Sequence, residues 1–410
     1  MMNRAIFVWL HRWAGLTMAA FLIVVGLTGS MLAFLPELDH FFAPEVHPGR
    51  HAGVELEPAT LLRRAEAIAP QARVNTVYLG EEGVAQIGVD ARPGEPPLSF
   101  DSLSLDRVTG EELGDRFKWN GLPTSRAGIM PFVYSLHYEL AMGRVGAWIL
   151  GIVALVWTID CFVAFYLTLP PPSRANARSY LARWKPAWLV KTRSSAYRLN
   201  FDLHRAGGLW MWGALLIFAW SSVYMDLNSV YMRVTSLFFH YEQPIWAATP
   251  DVAPPADKTP LGWEIAQTTG ARLMNERAAA DGFSVGPVTA FYLLREKGVF
   301  EYRAHSSRDV GDRHGATSVF FDAYTGELRR LDLPTGQHSG NTITAWLVAL
   351  HMASVFGLPY RIFVCALGLV IAMLSVTGVY IWWKKRAARK AHSAAHAFSE
   401  MSRESNTTGW

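Results

Sequence analysis

The sequence predicts a mainly α integral membrane protein: four transmembrane helices in two tandem repeats, each repeat carrying a small α+β domain outside the bilayer. The first observation behind this is an internal copy. Leu10-His11-Arg12-Trp13-Ala14-Gly15-Leu16 returns as Leu203-His204-Arg205-Ala206-Gly207-Gly208-Leu209, and Leu136-His137 with Gly143 returns as Leu350-His351 with Gly357. Self-similarity at long range marks a duplicated structural unit. The second observation is hydropathy. Trp13–Pro36, Val145–Leu169, Ala206–Met225 and Ile362–Trp383 each supply the roughly 20 mostly apolar residues that a spanning helix needs. The third is that the segments between spans, 37–130 and 226–340, are each long enough to fold as a small domain.

Residues 1–36 form the first helix. Its apolar stretch is too long for a signal peptide, and Pro36-Glu37-Leu38 is not a small-residue cleavage site, so it is expected to remain as an anchor. In the first outer domain, 37–130, Glu57–Pro70 reads as an amphipathic helix with proline near its start and stop and with Leu61, Leu62, Ala65 and Ile68 on one face. Val74–Val89 has strand character, and Leu105–Glu111 reads as strand then turn. The second helix occupies 131–170, interrupted by Asp160. A connector follows at 171–199, then the third helix at 200–225. The second outer domain, 226–340, repeats the turn signature: Asp106-Arg107-Val108-Thr109-Gly110-Glu111 is matched by Asp322-Ala323-Tyr324-Thr325-Gly326-Glu327. The fourth helix occupies 341–386, and 387–410 reads as a disordered tail. Arg92–Pro97 and Pro250–Pro260 read as surface loops.

Charge sets the orientation. The connector carries Arg174, Arg178, Arg183, Lys185, Lys191, Arg193 and Arg198 with no acid, and the last span runs into Lys384-Lys385-Arg386. Positive flanks stay in the cytoplasm. Both termini are therefore expected there, with the outer domains on the other side. The net charge of +4 is an orientation signal, and no basic, aromatic-interleaved patch argues for nucleic acid. The lipid bilayer is the implied partner.

Histidine is costly in lipid and versatile as a metal ligand, so four of them placed in register by a duplication point to haem. His11 and His204 are expected to face each other across a pseudo-two-fold axis on the cytoplasmic side, and His137 and His351 near the opposite surface. Two facing imidazoles make an axial pair suited to single electrons. Gly15 and Gly208 lie four residues after their histidines, on the same helix face, where a missing side chain admits a flat macrocycle. Gly143 and Gly357 share no face with theirs and count only as marks of the repeat. Arg12 and Arg205 are candidate partners for haem propionates. The competing account is that the histidines snorkel or bond to neighbouring helices. His338, His240 and His40 are reserve ligands for the second pair; His305 and His314 are placed on solvated strands or loops, and His392 and His396 in the tail.

Other chemistry is set aside by absence of its motifs. Without Cys-x-x-Cys-His, covalent c-type haem is excluded, so the haem is expected to be b-type. Cys161 and Cys365, the two cysteines, lie in separate spans and cannot hold an iron–sulfur cluster. Neither a zinc spacing nor a Gly-x-Gly-x-x-Gly after a strand is present. Electrons must then come from a quinol or from a separate cytoplasmic donor. Asp160, an acid inside a span, is either functional, taking protons or contacting a quinol, or a snorkelling side chain near the cytoplasmic end.

The Leu-His-Arg and Leu-His entries into the spans, the Tyr166-Leu167-Thr168-Leu169-Pro170 exit, the basic connector and the paired Asp-x-x-Thr-Gly-Glu turns resemble the PepSY-associated transmembrane family over roughly residues 1–386. The outer domains are then PepSY-like. The chain is similar to inner-membrane ferric-siderophore reductases of the FoxB type. That resemblance implies a multi-pass protein of the bacterial inner membrane, with periplasmic domains and b-type haem, two by the histidine pairs, that reduces iron held by a siderophore. Phe117-Lys118-Trp119-Asn120 and Arg126 lie close enough before His137 to line a cleft, but a loop with Trp and Lys is more often packing plus solvent, and they are left out of the site. Two other readings compete: a haem-free, membrane-anchored binding or sensor module, and a siderophore or iron permease. The permease is disfavoured because broken helices are not evident in the sequence.

Overall fold

A computed structural model describes residues 4–47, 49, 51–80, 83–117, 122–171, 179–243, 245, 250–251, 259–312 and 315–407. The chain folds into two compact units. One gathers Met1–Ser30, Ile149–Val223 and Cys365–Trp410; the other gathers Met31–Trp148 and Tyr224–Val364.

The second unit is built on a sheet. After the Pro58–Ile68 helix come β1 (Ala72–Leu79), β2 (Val84–Ala91), β3 (Ser102–Asp106) and β4 (Glu112–Phe117). After the Trp263–Asp281 helix come β5 (Val285–Leu294), β6 (Val299–Ser306), β7 (Thr317–Asp322) and β8 (Leu328–Asp332). Each copy is thus a helix and an antiparallel meander, and each meander's first strand has a free edge. An exposed edge presents unpaired N–H and C=O groups. Here β1 and β5 pair antiparallel, Thr76 with Tyr292 and Tyr78 with Ala290, and the result is one sheet of order β4-β3-β2-β1-β5-β6-β7-β8.

This corrects the expected fold class. The two outer segments do not form two separate small domains but one eight-stranded antiparallel sheet, too large for the chain to be described as a mainly α four-helix membrane protein. Both copies' helices cover the same face of that sheet. Leu61, Leu62 and Ala65 are fully buried there beside Ala266, Leu273 and Met274. At the centre Phe300 stacks on Phe291 and on Phe321, with ring centroids 5.5 Å apart in each case, and Trp263 meets Phe300 edge-on at 5.7 Å.

The repeated turn signature is structural. Asp106 accepts the Val108 and Thr109 N–H groups, and Asp322 those of Tyr324 and Thr325. Thr109 and Thr325 accept from Glu111 and Glu327. Gly110 and Gly326 follow at φ +69° and +76°, a region in which a side chain is strained. Burial pushes both aspartates up, but these hydrogen bonds, with His51 for Asp106 and Arg329 for Asp322, outweigh it. Asp106 ends below the usual carboxylate range and Asp322 at about 2.

The other unit holds the apolar helices. Among the described residues three helices are long and apolar enough to cross a membrane: Arg4–Leu32, Arg144–Thr168 and Gly357–Arg389. The expected third span is instead two 15-residue helices, Ala196–Trp210 and Trp212–Asp226, bent by 69°. Glycines 207, 208 and 213 surround the break, and glycine weakens a helix interior by about 1 kcal/mol. Trp212 is also held by its neighbour, its Nε1–H donating to the Cys161 carbonyl at 2.9 Å. A broken helix, expected to be absent, is thus present at this span. The segment after Ala387, expected to lack structure, continues the last helix to Thr407.

Close backbone contact joins the first and last of these helices. A Cβ on Gly26 would lie 2.7 Å from the Gly368 carbonyl oxygen. Ser30 Oγ donates to the Cys365 carbonyl at 2.8 Å. Small residues with a hydroxyl bridge are what close helix packing in lipid requires.

Candidate functional site

His11 and His204 come together within the first unit, their ring centroids 6.0 Å apart and the planes 54° from parallel. Each ring is fixed by its Nδ1. That of His11 lies 2.9 and 3.0 Å from the two carboxylate oxygens of Asp160. That of His204 lies 3.0 Å from the Leu374 carbonyl oxygen and 3.2 Å from Thr377 Oγ1. A carboxylate and a carbonyl only accept, so both rings carry the proton on Nδ1 and leave the Nε2 lone pair available to a metal. Gly378 lies against His204: a Cβ there would come within 3.2 Å of its Cε1.

His137 and His351 come together within the second unit, with centroids 6.3 Å apart and planes at 68°. Both sit in the last turn of a short helix, Ile129–Glu139 and Ser339–His351, which stops before the following span. The stops recur in both copies. Leu140, Ala141 and Gly143 have positive φ after His137, as do Ala353, Phe356 and Gly357 after His351. The turn after His137 is tight enough that a Cβ on Gly146 would overlap the Glu139 carbonyl. Gly143 and Gly357 are thus turn residues.

The spacing can be tested against a haem iron. Two imidazoles bound in line, with metal–nitrogen bonds of about 2.0–2.1 Å and about 1.1 Å from nitrogen to ring centre, put the centroids roughly 6.2–6.4 Å apart. The second pair lies within that range at 6.3 Å, and the first, at 6.0 Å, is within about 0.2 Å of it. Direct packing of tilted rings falls in the same range; the Nδ1 anchors at the first pair are what favour ligation over packing. Among the described residues no group of three or more His, Cys, Asp or Glu side chains is placed to hold a bare metal ion. The site chemistry is therefore that of paired imidazoles.

The flanking residues divide. A Cβ on Gly15 would meet no atom within 4 Å, and one on Gly208 only Leu374 at 3.9 Å. Arg205 is committed elsewhere: it pairs with the fully buried Asp202 at 2.8 Å and donates to the Pro186 carbonyl. Asp202 also accepts from Arg198 at 2.9 Å. Arg12 has no carboxylate partner among the described residues. His40 bonds the His47 carbonyl, His338 lies 3.7 Å from Glu242, and the His240 N–H donates to Ser339. None of these reserve histidines joins the second pair. His305 lies on β6, 3.4 Å from Asp309. His314, Lys118, Trp119 and Asn120 fall outside the described residues, as do the side chains of His392 and His396. Arg126 donates to the Phe41 carbonyl.

Two features were missed in the sequence. Asp160 is the partner of His11, 149 residues away in the chain. Arg361, 8% exposed, grips Glu37 with both terminal nitrogens, donates from Nε to the Ala33 carbonyl at 2.8 Å and lies over the Phe34 ring. A lone arginine just ahead of an apolar run carries no signal of such a clamp.

Apolar helices of spanning length in one unit, beside a second unit built on a large antiparallel sheet, define the chain as a membrane protein. Residues 8–385 match the family model of the PepSY-associated TM region, and the chain belongs to that family. No curated protein matches the chain.

Proposed function

We propose that the chain is an inner-membrane reductase, of the FoxB type, that passes electrons across the membrane to ferric iron held by a siderophore in the periplasm. The observation that carries this is the pair of facing, Nδ1-anchored imidazoles His11 and His204, repeated in spacing by His137 and His351. These four residues would hold two b-type haems through their imidazoles. Bound there, haem supplies reversible one-electron chemistry between ferric and ferrous iron.

The protein's own residues do the rest. Asp160, Leu374 and Thr377 set the ring orientation and tautomer of the first pair. Arg12 offers a cation beside His11 for a propionate. The second pair belongs to the same compact unit as the sheet, which favours delivery of electrons to a substrate bound by that unit. The basic connector and the basic end of the last span support a cytoplasmic side for the first pair. A quinol or a separate cytoplasmic protein is the donor. The reaction balances as one electron accepted per ferric ion, giving a ferrous complex that binds its chelate less tightly.

The test is reduction of a ferrioxamine-type or a catecholate ferric complex by dithionite-reduced protein in detergent, followed by capture of ferrous iron with a coloured chelator. The proposal expects stoichiometric ferrous iron and simultaneous reoxidation of the protein. A reduced haem protein that is indifferent to both classes of chelate would remove the reductase reading.

A further inference from the structure

The two histidines of the first pair are equivalent by duplication but are not supported equally. Asp160 lies 23 residues after His137, and Leu374 lies 23 residues after His351. The two therefore hold the same position in the two copies. Both receive an imidazole Nδ1–H, Asp160 through its carboxylate and Leu374 through its main-chain carbonyl. One site in the repeat thus offers a negative charge to His11 and a neutral dipole to His204. Asp160 is 8% exposed, so water and salt screen that charge poorly. Among the described residues His11 is the one side chain whose hydrogen bond Asp160 accepts.

We propose that Asp160 is a positioning residue that makes the two axial ligands of the first pair electronically unequal and lowers the potential of the haem held there. This rests on the haem reading above. A carboxylate drawing on Nδ1–H gives the imidazole partial anionic character and makes it a stronger donor to a metal at Nε2. A stronger donor and a nearby negative charge both favour ferric over ferrous iron. The copy that carries leucine shows that orienting the ring does not need a carboxylate, since a carbonyl suffices for His204. What the acid adds is charge.

The experiment is a spectroelectrochemical titration of detergent-purified protein at one fixed pH, comparing wild type with Asp160→Asn, Asp160→Glu and Thr377→Val. Asn keeps an acceptor oxygen and loses the charge. The expected result is that one haem, the one missing in His11→Ala, becomes easier to reduce by at least tenfold, about 59 mV for one electron. The other haem stays in place, Asp160→Glu returns towards wild type, and Thr377→Val shifts little. Selective loss of that haem in both Asp160→Asn and Asp160→Glu would show that the side chain serves the fold and not the potential, and would overturn the proposal. Unchanged potential and haem content in Asp160→Asn, or equal shifts of both haems, would overturn the proposal while leaving the haem reading intact. A wild-type protein without haem would instead remove the reading on which it rests.

Discussion

The contact between Gly26 and Gly368 makes a prediction whose sign depends on geometry alone. Gly→Ala in a helix interior ordinarily stabilises by about 0.5–1 kcal/mol, because the unfolded chain has less freedom to lose. At Gly26 the new methyl would lie 2.7 Å from the Gly368 carbonyl oxygen and 3.4 Å from the Ala372 nitrogen. Neither atom belongs to a flexible side chain, so the helices must part. Overpacking of this kind costs about 1–3 kcal/mol. Parting also stretches the 2.8 Å bond from Ser30 to the Cys365 carbonyl, which is worth about 0.5–1.5 kcal/mol. The expected loss is then on the order of 2–4 kcal/mol, or roughly 4–16 °C for a unit of this size. Gly213→Ala is the control, because a Cβ there meets nothing within 4 Å. Thermal unmasking of the free thiols Cys161 and Cys365 with a thiol-reactive dye reads both variants in detergent. Gly26→Ala should melt below wild type and Gly213→Ala at or above it. Equal melting of the two would refute the close crossing.

Further outcomes follow from the sites described. Gly15→Leu adds a side chain at a position where a Cβ meets no atom within 4 Å. It should leave thiol unmasking of the haem-stripped protein unchanged but lower haem content, read by pyridine haemochrome, by about half. Asp322 is held at about 2, below the roughly 3.9 of an unfolded aspartate. Its stabilisation is therefore complete above pH 4 and is lost as pH falls towards 2. Asp322→Asn should flatten the acid limb of sheet unfolding between pH 4 and 2, followed by tryptophan fluorescence, and leave the region above pH 5 parallel to wild type. Arg361→Lys keeps the charge but not the forked geometry. With Glu37 54% exposed, a loss of about 1–3 kcal/mol is expected, seen as a lower melting temperature, and Glu37→Ala should make the lysine variant no worse.

Much of the local structure was legible in the sequence because local rules produce it. Proline near both ends and an apolar face marked the Pro58–Ile68 helix. The two Asp-x-x-Thr-Gly-Glu turns were legible because side chain, hydroxyl and glycine each act within six residues. The joining of the two meanders was not, since pairing Tyr78 with Ala290 depends on two edges more than 200 residues apart and leaves no mark in either strand. The 69° bend at Met211 had a local cause in Gly207, Gly208 and Gly213, yet mean hydropathy across the break is high enough to read as one span. The four histidines were visible as a repeat. The anchors that define their chemistry were not: Asp160 looked like an isolated acid in a span, and Leu374 acts through a backbone carbonyl that any residue possesses.

The central claim, that the paired imidazoles ligate haem, is tested most directly by oxidised and dithionite-reduced visible spectra with pyridine haemochrome quantification. Wild type should be compared with His11, His137, His204 and His351 each changed to Ala. Ligation by both pairs predicts two b-type haems, one lost in His11→Ala or His204→Ala and the other in His137→Ala or His351→Ala. A protein that stays colourless after haem supplementation, or four variants that retain the full wild-type haem content, would contradict it.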